Sequence, residues 1–273
     1  MQTKIMTIFT RTPLHVGAGS SVGAIDQPVI RERHTGFPVI PGSAVKGVLR
    51  DYATGQDIPD IEMLFGHEPK GKDDKAYAGA IGFGEARLLA FPLRSAKGSF
   101  ALATCPLALS RFARDAEKSY AVPQIKDNEC LAATAVKLDG NKVALEEYVF
   151  DATGDFPNDW AECLSTLLDD VVLKESKTHF VLLSDGDFSY FAKNACQVQH
   201  HNKIDDKTGT VVDSALFNTE TVPSETLFYA PFHAIKNDCA DNAFFKHFTE
   251  AERLLQFGGD GTTGLGFCTC KLG

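Results

Sequence analysis

The order of strand-like and helix-like segments is the feature that most limits this chain. They mix without the strict β-α-β-α-β rhythm of a doubly wound sheet, and turn residues are plentiful between them, which predicts an α+β fold. "KIMTIFTR" (4–11) sets Ile5, Thr7 and Phe9 against Met6, Ile8 and Thr10 and is rich in β-branched residues, so it reads as a strand, ended by Pro13. Val45, Val48, Leu49 and Tyr52 recur at helical spacing over 43–53, with Ser43 available as a cap and Lys46 and Arg50 sharing the opposite face. Further strands are expected at 80–92, 99–105, 178–184, 225–232 and 264–272, and helices at 107–118, 159–169 and 242–257. Thr249 and Glu252 stand in capping-box spacing, which allows the last helix to start near 249; Gly258–Gly259 ends it. Two segments leave the compact pattern: the charged loop 66–79, and 199–223, which reads as a long hairpin with "DDKTG" as its turn.

The 273 residues are 44% hydrophobic and 23% charged, enough to bury a sizeable core. No apolar run approaches the ~20 residues of a membrane span, and "MQTKIMTIFTRTP" lacks the pattern of a signal peptide, so a cytoplasmic protein with no membrane partner is expected. The seven cysteines are scattered without C-x-x-C spacing, which points to reduced thiols; core packing is favoured over metal or redox use for the Cys268 and Cys270 pair in "FCTCKL".

A net charge of −9 argues against an anionic partner, yet residues 1–50 carry +4 and the remainder −13. Local field decides where an anion docks, although a solvated basic face would show the same distribution. "PGSAVKG" (41–47) opens a helix with glycine, hydroxyl and lysine in its first turn, where free N–H groups favour a phosphate; an ordinary capped start is the plainer reading. "GGDGTTGLG" (258–266) permits close backbone approach to a ligand, or simply a tight helix-to-strand connection. Neither string has Walker or dinucleotide spacing.

Asp26 lies between Gly23 and Pro28, in a loop or extended segment. It either caps a turn or pairs with Arg31 or Arg33, or else it stands where a phosphodiester passes, recruiting a divalent cation or assisting proton transfer. His15 and His34 are near in sequence as acid, base or RNA contact, though a lone histidine is more often structural. His200 and His201, adjacent on a strand, point to opposite faces and do not form a joint metal site.

Taken together, "TPLHVGAG", "IDQPVIRERHTGFPVIPGSAVKGVLRD" and "GGDGTTGLGF" resemble the RAMP superfamily of CRISPR-associated proteins, most closely the repeated backbone subunit of type III-B (Cmr) effector complexes. The resemblance continues through 89–115 and 215–229. It implies a single RAMP domain over 1–273: a ferredoxin-like, RRM-like palm with inserted fingers and a β-hairpin thumb, for which 199–223 is suited. It implies copies stacked helically along a CRISPR RNA (crRNA) with other subunits of the Cmr complex. Target RNA paired with the guide would be cleaved at regular intervals with a divalent metal, Mg²⁺ or Mn²⁺, through the aspartate that Asp26 matches, as metal ligand or as base. His15 falls on a family histidine near this site, and Glu220 lies where the family carries acidic residues near the cleavage point. Ser43 and Lys46 match positions that contact guide phosphates, and 258–266 matches the glycine-rich loop. Arg31, Arg33, Arg50, Gly258, Gly259, Gly261 and Gly264 complete the expected RNA-binding set. With one carboxylate evident, attack of a ribose 2′-OH leaving a 2′,3′-cyclic phosphate is favoured over a two-metal reaction. Two alternatives remain: a non-catalytic crRNA-binding scaffold, and a small-molecule enzyme holding a nucleotide phosphate on its two glycine-rich loops.

Overall fold

The computed structural model describes residues 3–21, 23–69, 71, 74–212, 216–235 and 243–273. Its centre is a mixed, largely antiparallel sheet that reaches twelve strands among the described residues, with helices on both faces. The α+β expectation holds. Thr3–Thr10 lies inside the sheet, flanked antiparallel by Leu227–Ala234 and Phe267–Leu272. Its alternation serves two cores: Met6 and Ile8 face one, Ile5 and Phe9 the other. Val45, Leu49 and Ala53 of the Gly42–Gly55 helix and Phe244 and Phe248 of the Ala243–Glu250 helix close the first core. Phe112, Trp160 and Tyr229 fill the second. Each fully buried phenylalanine contributes about 1.5–3 kcal/mol of transfer free energy, so these layers carry much of the stability.

Ala86–Arg94 couples two wings of the sheet. Arg87, Leu88 and Ala90 pair with Tyr229, Phe228 and Leu227, while Phe91–Arg94 pairs with Phe100–Thr104. The second wing continues through Phe180–Leu182, Glu129–Ala132, Tyr148–Asp155 and Lys142–Leu145. A separate antiparallel ribbon, Gln197–His201 with Phe217–Thr221, leaves the sheet. Beyond it, Ile204 bridges Val211 across a turn in which Asp205 Oδ1 accepts the Lys207 and Thr208 N–H groups.

Several expectations need correction. The 80–92 strand divides into Ile81–Phe83 and Ala86–Arg94, because Gly84 turns against Pro231. The 242–257 helix ends at Glu250, and Arg253–Gln256 is an edge strand paired with Phe267–Leu272. Thr249 therefore caps no start; its hydroxyl donates to Phe245 O, 2.5 Å away, inside the helix. Ser43 is also not a cap, since Pro41 holds that position and the exposed Ser43 makes no capping bond. Gly42 matters instead: a Cβ there would lie 2.5 Å from Phe83 O, so glycine lets the helix start rest on the neighbouring strand.

Cys268 and Cys270 sit buried in the core, where burial pushes both thiols well above their ordinary range. Burial likewise pushes the Cys130 thiol up to about 12. These are packing groups, little given to thiolate chemistry. Cys239 lies outside the described residues.

Candidate active site

Three segments distant in sequence meet at the base of the 197–221 ribbon. The 14–30 loop folds back on itself: Gly17 bridges Val29, Ala18 N donates to Pro28 O and Ile30 N to Val16 O. Leu14 exchanges two hydrogen bonds with Val222, each 2.8 Å, anchoring the loop just past the end of the Phe217–Thr221 strand. Gln27 then runs beside Thr219 in a parallel bridge.

That bridge fixes Asp26. Asn218 Oδ1 accepts the Asp26 N–H at 2.8 Å, Asp26 Oδ2 accepts the Asn218 N–H at 2.8 Å, and Gln27 N donates to Asn218 O at 3.1 Å. Asn218 Nδ2 also donates to Ala24 O. Asp26 pairs with neither Arg31 nor Arg33; its carboxylate is exposed and held by a backbone donor. Asn218 is a site residue the sequence did not announce, because it stands 192 residues from the aspartate it clamps.

His15 and Glu220 lie beneath this surface. His15 is buried, its Nδ1 is 2.7 Å from Glu220 O, and its ring packs against Gly17 and Gly259. Glu220 is only 4% exposed. Its Oε1 accepts from Arg31 Nη2 at 2.6 Å and its Oε2 from Val29 N at 2.9 Å. Both oxygens thus hold the loop. Arg31, expected on RNA, braces the loop: its Nη1 and Nη2 groups also donate to Gly36 O, Ala192 O, Lys193 O and Cys196 Sγ. Cys196 is half-buried there, and desolvation lifts its thiol to about 11 against the opposing influence of Arg31.

The glycine-rich loop closes over His15. A Cβ on Gly258, whose φ is +76°, would lie 2.0 Å from His15 O, and Gly259 N donates to that same oxygen at 2.9 Å. Gly261 packs on Gln256, whose Nε2 reaches Phe257 O at 3.1 Å and Leu265 O at 3.2 Å. Gly258 is therefore required by packing against the His15 backbone, Gly261 faces only the Gln256 side chain, and Gly264, at φ +93°, has open space around it. Gly258→Ala is expected to destabilise the fold by more than Gly264→Ala, which meets only the left-handed backbone penalty of about 1–2 kcal/mol; denaturant midpoints of the two variants check this. Lys46, Arg50 and Arg33 form no ion pair among the described residues, and neither Lys46 nor Arg50 is fully buried. They are cations available to an anion.

No group of three or more His, Cys, Asp or Glu residues among those described is arranged to hold a metal ion. Asp26 offers a single carboxylate. Such a donor suits an ion that keeps several waters and takes further ligands from a substrate phosphate, as Mg²⁺ does.

A chain with this sheet, a glycine-rich loop over a buried histidine and a projecting ribbon beside an exposed aspartate is defined as a class by its match over residues 7–269: it belongs to the RAMP superfamily. Within that superfamily it is 34% identical over 288 positions to the CRISPR system Cmr endoribonuclease Cmr4 of Pyrococcus furiosus, covering 100% of this chain and 96% of that protein. A crystal structure of oligomeric Cmr4 from the same organism matches with a TM-score of 0.77 at 29% identity, over 100% of this chain and 98% of the other. A chain in a cryo-EM structure of the type III-B Cmr-beta complex bound to cognate target RNA shares the fold, with a TM-score of 0.75 at 18% identity, over 100% of this chain and 97% of that chain.

Proposed function

We propose that this chain is the repeated backbone subunit of a type III-B Cmr effector complex, which binds crRNA and cleaves the paired target RNA at regular intervals. The observation that carries the reading is the exposed Asp26 carboxylate, clamped by Asn218 in a chain that aligns end to end with an endoribonuclease. We read the succession of Thr3–Thr10, the Gly42–Gly55 helix, Ala86–Arg94, Leu227–Ala234, the Ala243–Glu250 helix and Phe267–Leu272 as the ferredoxin-like palm, and the 197–221 ribbon as the thumb. Copies of the chain would stack along the guide in the cytoplasm with other Cmr subunits. No helix of the described residues is long and apolar enough to cross a membrane.

In this reading Ser43, Lys46, Arg50 and Arg33 face RNA phosphates, and base pairing with the guide supplies sequence selection. Asp26 takes the proton of the 2′-OH that attacks the adjacent phosphorus; His15, Glu220 and Arg31 hold the loop that presents it. A divalent ion, Mg²⁺ or Mn²⁺, would be shared between Asp26 and the RNA and would neutralise charge developing on the phosphate. Pre-alignment of the target backbone by guide pairing converts this attack into an effectively intramolecular step.

The test is cleavage of a labelled complementary target by the reconstituted, guide-loaded complex. Regularly spaced products with 2′,3′-cyclic phosphate ends, lost on chelation of divalent ions, support the reading. Uncut target despite full guide loading would reduce the chain to a scaffold. Lys46→Ala and Arg50→Ala are each expected to weaken guide binding and to lower the salt-dependence slope by about 1, read from binding isotherms at several salt concentrations.

A further inference from the structure

We infer that His200 is a second catalytic residue, the acid that protonates the leaving 5′-oxygen. This rests on the ribonuclease reading above. Cleavage by 2′-OH attack moves two protons: one leaves the 2′-oxygen, and one must reach the 5′-oxygen as the P–O5′ bond breaks. Asp26 accounts for the first. The groups nearest to it in sequence or contact are unsuited to the second, since His15 is buried on Glu220 O and both Glu220 oxygens are engaged. The His34 ring is bonded to Arg111 Nη2 at 2.8 Å.

His200 stands directly opposite Asn218 in the ribbon. Asn218 turns both backbone groups toward the Asp26 loop, its N–H to Asp26 Oδ2 and its carbonyl to Gln27 N, so the His200–Asn218 pair is of the non-hydrogen-bonded kind, in which cross-strand side chains are closest. His200 and Asn218 therefore share one face of the ribbon, and the Asp26 segment lies along the other side of the Asn218 strand, joined to it by the Gln27–Thr219 bridge. At ~4.8 Å per strand, the backbones of Asp26 and His200 are about 10 Å apart, which leaves room for one phosphodiester between their side chains. The His200 side chain is exposed and bonds to nothing among the described residues. His201, its neighbour, is turned away and stacks on Phe217 at 4.9 Å.

In the step, the 2′-OH proton passes to Asp26, the 2′-oxygen bonds to phosphorus, the P–O5′ bond breaks, and the His200 imidazolium gives its proton to O5′. The products are a 2′,3′-cyclic phosphate and a 5′-hydroxyl, and solvent exchange resets both side chains. Imidazole suits the part because it carries a transferable proton near neutral pH.

The experiment compares two targets in the guide-loaded complex: one all-oxygen, and one with sulfur replacing the bridging 5′-oxygen at a scissile link. A thiolate leaves without a proton. His200→Ala is expected to slow single-turnover cleavage of the all-oxygen target by about 100-fold or more and to cut the sulfur-bridged target at close to the wild-type rate. Asp26→Ala should fail on both. Wild-type rates for His200→Ala on the all-oxygen target, or equal losses on both targets with guide loading intact, would overturn the assignment. Full cleavage by Asp26→Ala would instead overturn the ribonuclease reading, and this inference with it.

Discussion

Asp26→Ala should lower target cleavage by at least about 10³-fold while leaving guide loading and complex assembly unchanged. The asymmetry follows from how the residue is held. Its side chain makes one described hydrogen bond, to Asn218 N, whereas its backbone N–H to Asn218 Oδ1, its carbonyl to Ser21 N and the adjoining Gln27–Thr219 bridge hold the loop without it. Removal of the carboxylate therefore takes away charge and proton acceptor and spares the frame. Asp26→Asn is the sharper variant, since an amide oxygen can still accept from Asn218 N. If the asparagine variant is as inactive as the alanine one, charge is what the reaction needs. Gel analysis of single-turnover reactions, with guide content measured in parallel, checks both.

Glu220→Ala should produce the opposite profile, a loss of folding stability of about 3–5 kcal/mol. Its carboxylate and Arg31 form a largely enclosed pair, with side chains 6% and 17% exposed, and truncating one partner leaves the other charge without compensation. Val29 N would lose its acceptor as well. Replacing both partners with apolar residues of similar volume should recover part of the stability, because no lone charge is then left inside. Denaturant unfolding of the single and double variants measures this. Activity in Glu220→Ala should fall with the folded fraction; a large activity loss at unchanged stability would make Glu220 a participant in the chemistry.

The sequence was most legible where one segment carried its own signal. The alternation in 4–11, the apolar spacing in 43–53 and the turn chemistry of 205–209 each correspond to an element of the structure. It was least legible where two periods overlap. Leu254, Leu255 and Phe257 extend the helical pattern of 243–250, yet Leu254 is exposed and Leu255 buried, the two-residue alternation of a strand settled only by pairing with 267–270. At the candidate site, Asp26 was singled out through its loop setting and its family resemblance. Its partner Asn218 and the bracing role of Arg31 were hidden, because their contacts span 161 to 192 residues and carry no local pattern. An arginine among bases carries no sequence sign that the carbonyls of 192 and 193 fold against it.

Three consecutive residues of the Phe217–Thr221 strand hold the loop that carries Asp26: Asn218 clamps Asp26, Thr219 Oγ1 donates to Gln27 Oε1, and Glu220 carries both Val29 and His15. Because strand side chains alternate, a slip of one residue would turn Asn218 and Glu220 to the wrong face together and bring Thr219 between them. Assembly of the site is therefore digital in the alignment of one short strand. A partly shifted ribbon leaves no weakened nuclease, only an inactive one, and insertions in the distal turn are harmless only in so far as they leave that alignment untouched.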